Sequence, residues 1–78
     1  MNTEQMSKSN YVAALSQLFS QYNLYDVANM IYITDGLTFE KVVITFCRGG
    51  STSANVRYDS HQAILDDILK ALKSYEDN

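Results

Sequence analysis

The chain has 78 residues and one cysteine, Cys47, so it can form no internal disulfide and no multi-cysteine zinc site. A lone thiol in an unstapled small protein suits a reducing compartment, and we expect a cytoplasmic protein. Long apolar runs are also missing. None approaches the roughly 18 residues of a membrane span, and the opening MNTEQMSKSN lacks the apolar region of a signal peptide. Neither charge sign dominates: six Lys and Arg against nine Asp and Glu give a net charge of −3. Affinity for nucleic acid at physiological salt comes largely from basic residues displacing counterions, and the six here form no stripe. The acidic residues are too few for the dense carboxylate rows of a nucleic-acid mimic.

What is present is a globular composition, 46% hydrophobic and 19% charged, near the lower size limit for one unstapled core. We therefore expect a single domain over residues 1–78 with residues 1–8 flexible. The chain starts at Met1 and shows no tag, linker, repeat or low-complexity tract, which leads us to expect a complete small gene product.

Periodicity divides the chain into five elements. In SNYVAALSQLFSQYN the residues Tyr11, Val12, Leu15, Leu18, Phe19 and Tyr22 recur at helical spacing, with Ser7 or Ser9 as a cap and Asn23 as a stop. The opposite face, Ser16, Gln17, Ser20 and Gln21, is uncharged, whereas a solvated helix face usually carries Lys and Glu. ANMIYITDGLTFEKVVITFC is β-branched and aromatic, and Asp35-Gly36 marks a hairpin between strands at 28–34 and 37–47. A strict two-residue turn would set Ile31 opposite Glu40, so the pattern also admits a longer loop or a bulge. The last helix places Ile64, Leu65, Ile68, Leu72 and Tyr75 on one stripe, with Asp59 or Ser60 as cap and Asp66 and Lys70 spaced as an i, i+4 pair. The order implies an α+β fold, αβββα, with a three-stranded antiparallel meander and both helices on one face.

CRGGSTS, residues 47–53, gathers a thiol, a guanidinium, two glycines and three hydroxyls. Phosphate loops open a helix, but these glycines lead into SANVRY, a strand, and no Gly-Lys-Ser/Thr follows. Pairing Phe46 with Ala54, Ile44 with Val56 and Val42 with Tyr58 gives one apolar face if 48–52 is the turn, with Gly49 and Gly50 supplying positive φ. The expected core is that face under Leu15, Phe19, Ile68 and Leu72. Val43, Thr45, Cys47, Ser53, Asn55 and Arg57 then form a mixed polar outer surface.

Few side chains suggest catalysis. Cys47 and His61 are the conventional nucleophile and base, but the strand between them separates them by roughly 15 Å or more at ~3.3 Å per residue. Asp66 and Asp67 are adjacent on a helix and point apart, and one histidine with Asp59, Asp66 and Asp67 lacks the spacing of a metal site. We expect no enzyme, no cofactor and no metal.

The element order resembles the double-stranded RNA-binding domain from Tyr11 to Tyr75, including the step from Gly50 to Ser60. That family places adjacent lysines at the start of its second helix, where this chain has His61 and Gln62. The resemblance is one of topology, and it implies a frame on which Lys41, Arg48 and Arg57 would be the few nucleic-acid contacts. The leading expectation is a protein-binding module acting stoichiometrically, a regulator or inhibitor of the kind encoded by phages and mobile elements, for instance against host defences. Its partner would be another protein or a second copy. Gln17 and Gln21 on the first helix, Tyr25 in the connection after it, Met30 and Tyr32 along an edge strand without Lys or Pro in its middle, and Thr45, Asn55 and Arg57 on the open face are the candidate contacts.

Overall fold

The structure is a computed structural model, and it describes residues 7–57 and 60–76. Helix α1 (Lys8–Gln21) leads through a short 3-10 turn (Leu24–Asp26) into strands β1 (Val27–Thr34), β2 (Glu40–Phe46) and β3 (Ser51–Asn55), and helix α2 (His61–Glu76) follows. The sheet is antiparallel in the order β1-β2-β3, as the periodicity predicts. Helix α1 packs mainly on β1 and α2 on β3.

The caps explain where the helices begin. Ser7 Oγ accepts the Asn10 N–H at 3.3 Å and Ser60 Oγ accepts the Ala63 N–H at 3.1 Å. Asp59, the alternative cap, lies outside the described residues, as do residues 1–6 of the segment expected to be flexible. The other two of that segment, Ser7 and Lys8, cap and start α1. Helix α1 ends where Asn23 turns left-handed at φ 56°, followed by Tyr25 and Asp26 at φ 57° and 58°. Three non-glycine residues in this region make the link to β1 a strained one.

One sheet face is the core. Val27, Met30, Val42, Ile44, Phe46, Ala54 and Val56 meet Val12, Leu15 and Phe19 of α1 and Ile64, Ile68 and Leu72 of α2, all buried. Full burial stabilises each large aliphatic side chain by ~1.5–3 kcal/mol. Among the expected core residues only Tyr58 lies outside the described ones. Two helix residues read as core stripe, Leu18 and Tyr22, are instead 44% and 63% exposed. They sit on the flank of α1 that the narrow sheet does not reach.

The hairpins correct the expected start of the second strand and the register and length of the second turn, while the first hairpin has both the longer loop and the bulge that its pattern admits. Strand β2 starts at Glu40, not Leu37, because 35–39 is a loop closed by Asp35. Its Oδ1 accepts the N–H groups of Leu37, Thr38 and Phe39 at 2.8, 2.7 and 3.1 Å, while Oδ2 accepts the Thr38 hydroxyl. The Thr38 hydroxyl first, then the Leu37, Phe39 and Thr38 N–H groups, hold the Asp35 carboxyl well below the usual carboxylate range. Strands β1 and β2 pair Thr34 with Glu40 and Ile31 with Val43, with a bulge between Val27 and Asn29. Strands β2 and β3 pair Val42 with Ala54 and Ile44 with Thr52, so the expected register, Phe46 opposite Ala54, is displaced by four residues. The turn is correspondingly tight. Phe46 N–H donates to Gly50 O at 3.2 Å and Gly49 N–H to Phe46 O at 3.0 Å, so Ser51 and Thr52 belong to β3. An even displacement leaves every side chain on its expected face.

The two ends of the sheet are pinned differently. At one, Lys8 Nζ pairs with Glu40 and donates to Val56 O at 3.1 Å, and Tyr11 stacks on His61 at 4.1 Å with its hydroxyl donating to His61 O at 3.0 Å. At the other, Tyr75 stacks on Phe46 at 3.9 Å and donates its hydroxyl to Gly49 O at 3.1 Å. A Cβ on Gly50, at φ 88°, would come 2.8 Å from the Tyr75 hydroxyl, so the tip of that side chain would have to move off the turn. Gly36 has a similar φ of 82° with open space around it. Gly50→Ala should therefore cost ~1–3 kcal/mol, more than Gly36→Ala, which meets backbone strain alone. Urea denaturation measures both, and equal losses would show that Tyr75 does not seat on the turn.

Candidate functional site

No described residue covers the sheet's outer face, and its composition differs from the sequence expectation. Thr45 on the central strand, Asn55 on β3 and Arg57 just beyond it are exposed there. Between and beside them the strands present Ile31 and Ile33, 49% and 38% exposed, with half-buried Val43 directly opposite Ile31. The adjoining loop adds Leu37 and Phe39, 84% and 38% exposed. Lys41, opposite Ile33, lies with Nζ 5.7 Å from the Phe39 ring centroid. The result is an apolar strip with a polar margin. Its signal in the sequence is the odd-numbered half of β1, masked because a strand alternating Ile with Met and Tyr reads as apolar on both faces.

The other candidate residues divide by burial. Gln17 and Gln21 are exposed on α1, beside the exposed Leu18 and Tyr22, with Leu24 just beyond the helix end. Met30 is buried in the core, and Tyr32 is half-buried against it on the same face. In both, only the backbone faces the free edge of β1. Tyr25 is half-buried, its ring edge-on to Phe19 at 6.2 Å. The structure thus brings Thr45, Asn55 and Arg57 to one face and leaves Gln17 and Gln21 on another element.

Cys47 and His61 are not brought together. Cys47 follows β2 at the turn, while His61 opens α2 at the opposite end of the β2–β3 hairpin and stacks on Tyr11. Desolvation, then the Asp26 carboxylate, raises the Cys47 pKa above its ordinary value, which lowers the thiolate fraction a nucleophile needs. Burial, then Asp66, likewise raises the Tyr11 phenol. Asp66 accepts from Gln62 Nε2 at 2.9 Å and forms no ion pair with Lys70, contrary to the i, i+4 expectation. No group of three or more His, Cys, Asp or Glu among the described residues is placed to hold a metal.

Three of the six basic side chains serve the fold. Arg57 Nη1 donates to Thr38 O at 2.8 Å, Arg48 lies 3.7 Å from Asp26 and over the Tyr75 ring, and Lys8 pairs with Glu40. They point to no common surface that would track a phosphate backbone. Comparison with protein-family models, curated proteins and solved structures finds no match. No helix among the described residues is long and apolar enough to cross a membrane.

Proposed function

We propose that this chain is a non-enzymatic protein-binding module that acts stoichiometrically, as a regulator or inhibitor, through the outer face of its sheet. The observation that carries this reading is the exposed apolar surface of Ile31, Ile33 and Val43 on a sheet whose other face packs against the helices, with exposed Leu37 and Phe39 in the adjoining loop. Contiguous apolar surface on a small protein marks an interaction site more often than chance exposure does, and the polar margin of Thr45, Asn55 and Arg57 has the composition of an interface rim. Such a face contributes affinity by excluding water and needs no reactive group.

Affinity capture from the native host, with Ile31→Lys plus Ile33→Lys as the comparison, tests the reading. Both side chains are exposed, so the double variant should fold normally by circular dichroism and lose the captured partner at least tenfold. Recovery of the same partner at the same yield from the double variant would overturn it. So would a wild-type protein that captures nothing and sediments as a monomer at every concentration.

A further inference from the structure

A second surface, separate from the outer face, lies along β3. The register fixes which backbone groups are spoken for: Phe46 N–H binds Gly50 O and Val56 N–H binds Glu40 O, so the even-numbered residues of β3 bond to β2. The N–H and C=O groups of Ser51, Ser53 and Asn55 therefore point to the free edge. Beside that edge runs a groove of about 330 Å³ whose floor is β3 and whose wall is the flank of α2 bearing Asp67, Lys70 and Ala71. Asp67 and Lys70 form no hydrogen bond or ion pair with any described residue, although they have opposite signs and lie one helical turn apart.

An edge with three peptide groups that no described residue pairs, walled by a helix, is the geometry in which an extended chain adds as a further strand. We propose that this groove binds an extended segment of another protein, antiparallel to β3, that carries a basic residue and, two positions on, an acidic one; α2 runs back along β3, with Tyr75 at the Gly49 turn, so such a strand meets Asp67 first and Lys70 second. Side chains at i and i+2 of a strand share a face and stand ~6.6 Å apart, and the third residue along a helix lies ~4.5 Å further on. A strand with Lys or Arg toward Asp67 and Asp or Glu toward Lys70 thus satisfies both charges at once. The small Ala54 and Ala71 leave the space between them. A second copy of this chain fits less well. Helices pack ~8–10 Å apart, which α1 over β1 and α2 over β3 achieve across two strand spacings; pairing β3 with its own copy would set two α2 helices only one spacing of ~4.8 Å apart.

The probes are two blocked nonapeptides of alternating threonine and valine, one with lysine then glutamate two residues apart at the centre, the other with the order reversed. Titrated into the labelled full-length protein and followed by amide NMR, the lysine-first peptide should bind saturably, at least fivefold tighter than the glutamate-first one. It should also shift the Ser51, Ser53 and Asn55 amides. The charge-swapped variant Asp67→Lys, Lys70→Asp should invert that preference, an outcome a purely structural role for these side chains does not produce. No shift at millimolar peptide, equal binding of both orders, or shifts confined to Ile31, Ile33 and Val43 would each overturn the proposal. The outer-face reading stands or falls separately, because its double variant leaves β3 and α2 untouched.

Discussion

Phe46→Ala should lower stability by about 3–5 kcal/mol, the usual loss for a buried phenylalanine. At ~0.05–0.15 kcal/mol per residue, a domain of this size has ~4–12 kcal/mol in total, so much of the variant is expected to be unfolded at 37 °C. The ring is 2% exposed and lies face to face with Tyr75 at an interplanar angle of 8°. Its removal empties the core beside the turn and frees the last turn of α2 together. Urea denaturation by circular dichroism reads the loss, and Tyr75→Ala alone and combined with Phe46→Ala reads the coupling, expected at ~0.5–1.5 kcal/mol. A Phe46→Ala protein as stable as wild type would show that the inner face is misassigned.

Met30→Lys and Ile31→Lys should differ sharply although the two residues are neighbours. Met30 is 5% exposed and packs in the core, where an unpaired ammonium costs ~4 kcal/mol or more, enough to unfold a marginal domain. Ile31 is 49% exposed on the outer face, so its replacement should change stability by no more than ~0.5 kcal/mol. The pair reads the facing of β1 directly: thermal melts that coincide for both variants would show that β1 does not alternate as described. Only Ile31→Lys is useful for probing partner binding, since Met30→Lys removes the fold along with any surface it carries.

The αβββα order was legible because each element announces itself locally, through helical periodicity at Tyr11–Phe19 and Ile64–Leu72 and through β-branched runs around Asp35-Gly36 and Gly49-Gly50. The β2–β3 register was not, because two registers four residues apart give the same inner face. Pairing apolar residues with apolar ones favoured Phe46 opposite Ala54, but Gly49 and Gly50 allow a tighter turn that puts Thr52 opposite Ile44. The candidate site was half legible. Thr45, Asn55 and Arg57 followed from alternation alone, whereas the apolar strip depends on how much sheet the two helices leave uncovered. That is a property of width and packing that no single segment encodes. The same reason hid the exposure of Leu18 and Tyr22, whose spacing is that of a core stripe on a helix broader than its support.

The most extensive contacts all join elements consecutive in the chain: α1 with β1, β1 with β2, β2 with β3, and β3 with α2. Each can close over a short loop, and loop-closure entropy rises with loop length, so no early step of assembly has to search for a distant partner. The exceptions are few and late by nature. Lys8 reaches Val56 across 48 residues and Tyr11 reaches His61 across 50. During synthesis the first helix and the first hairpin can therefore take shape as they emerge, but Ile64, Ile68 and Leu72 arrive last, and until α2 docks the inner sheet face beside β3 stays open to water and to any chaperone that recognises bare apolar strands.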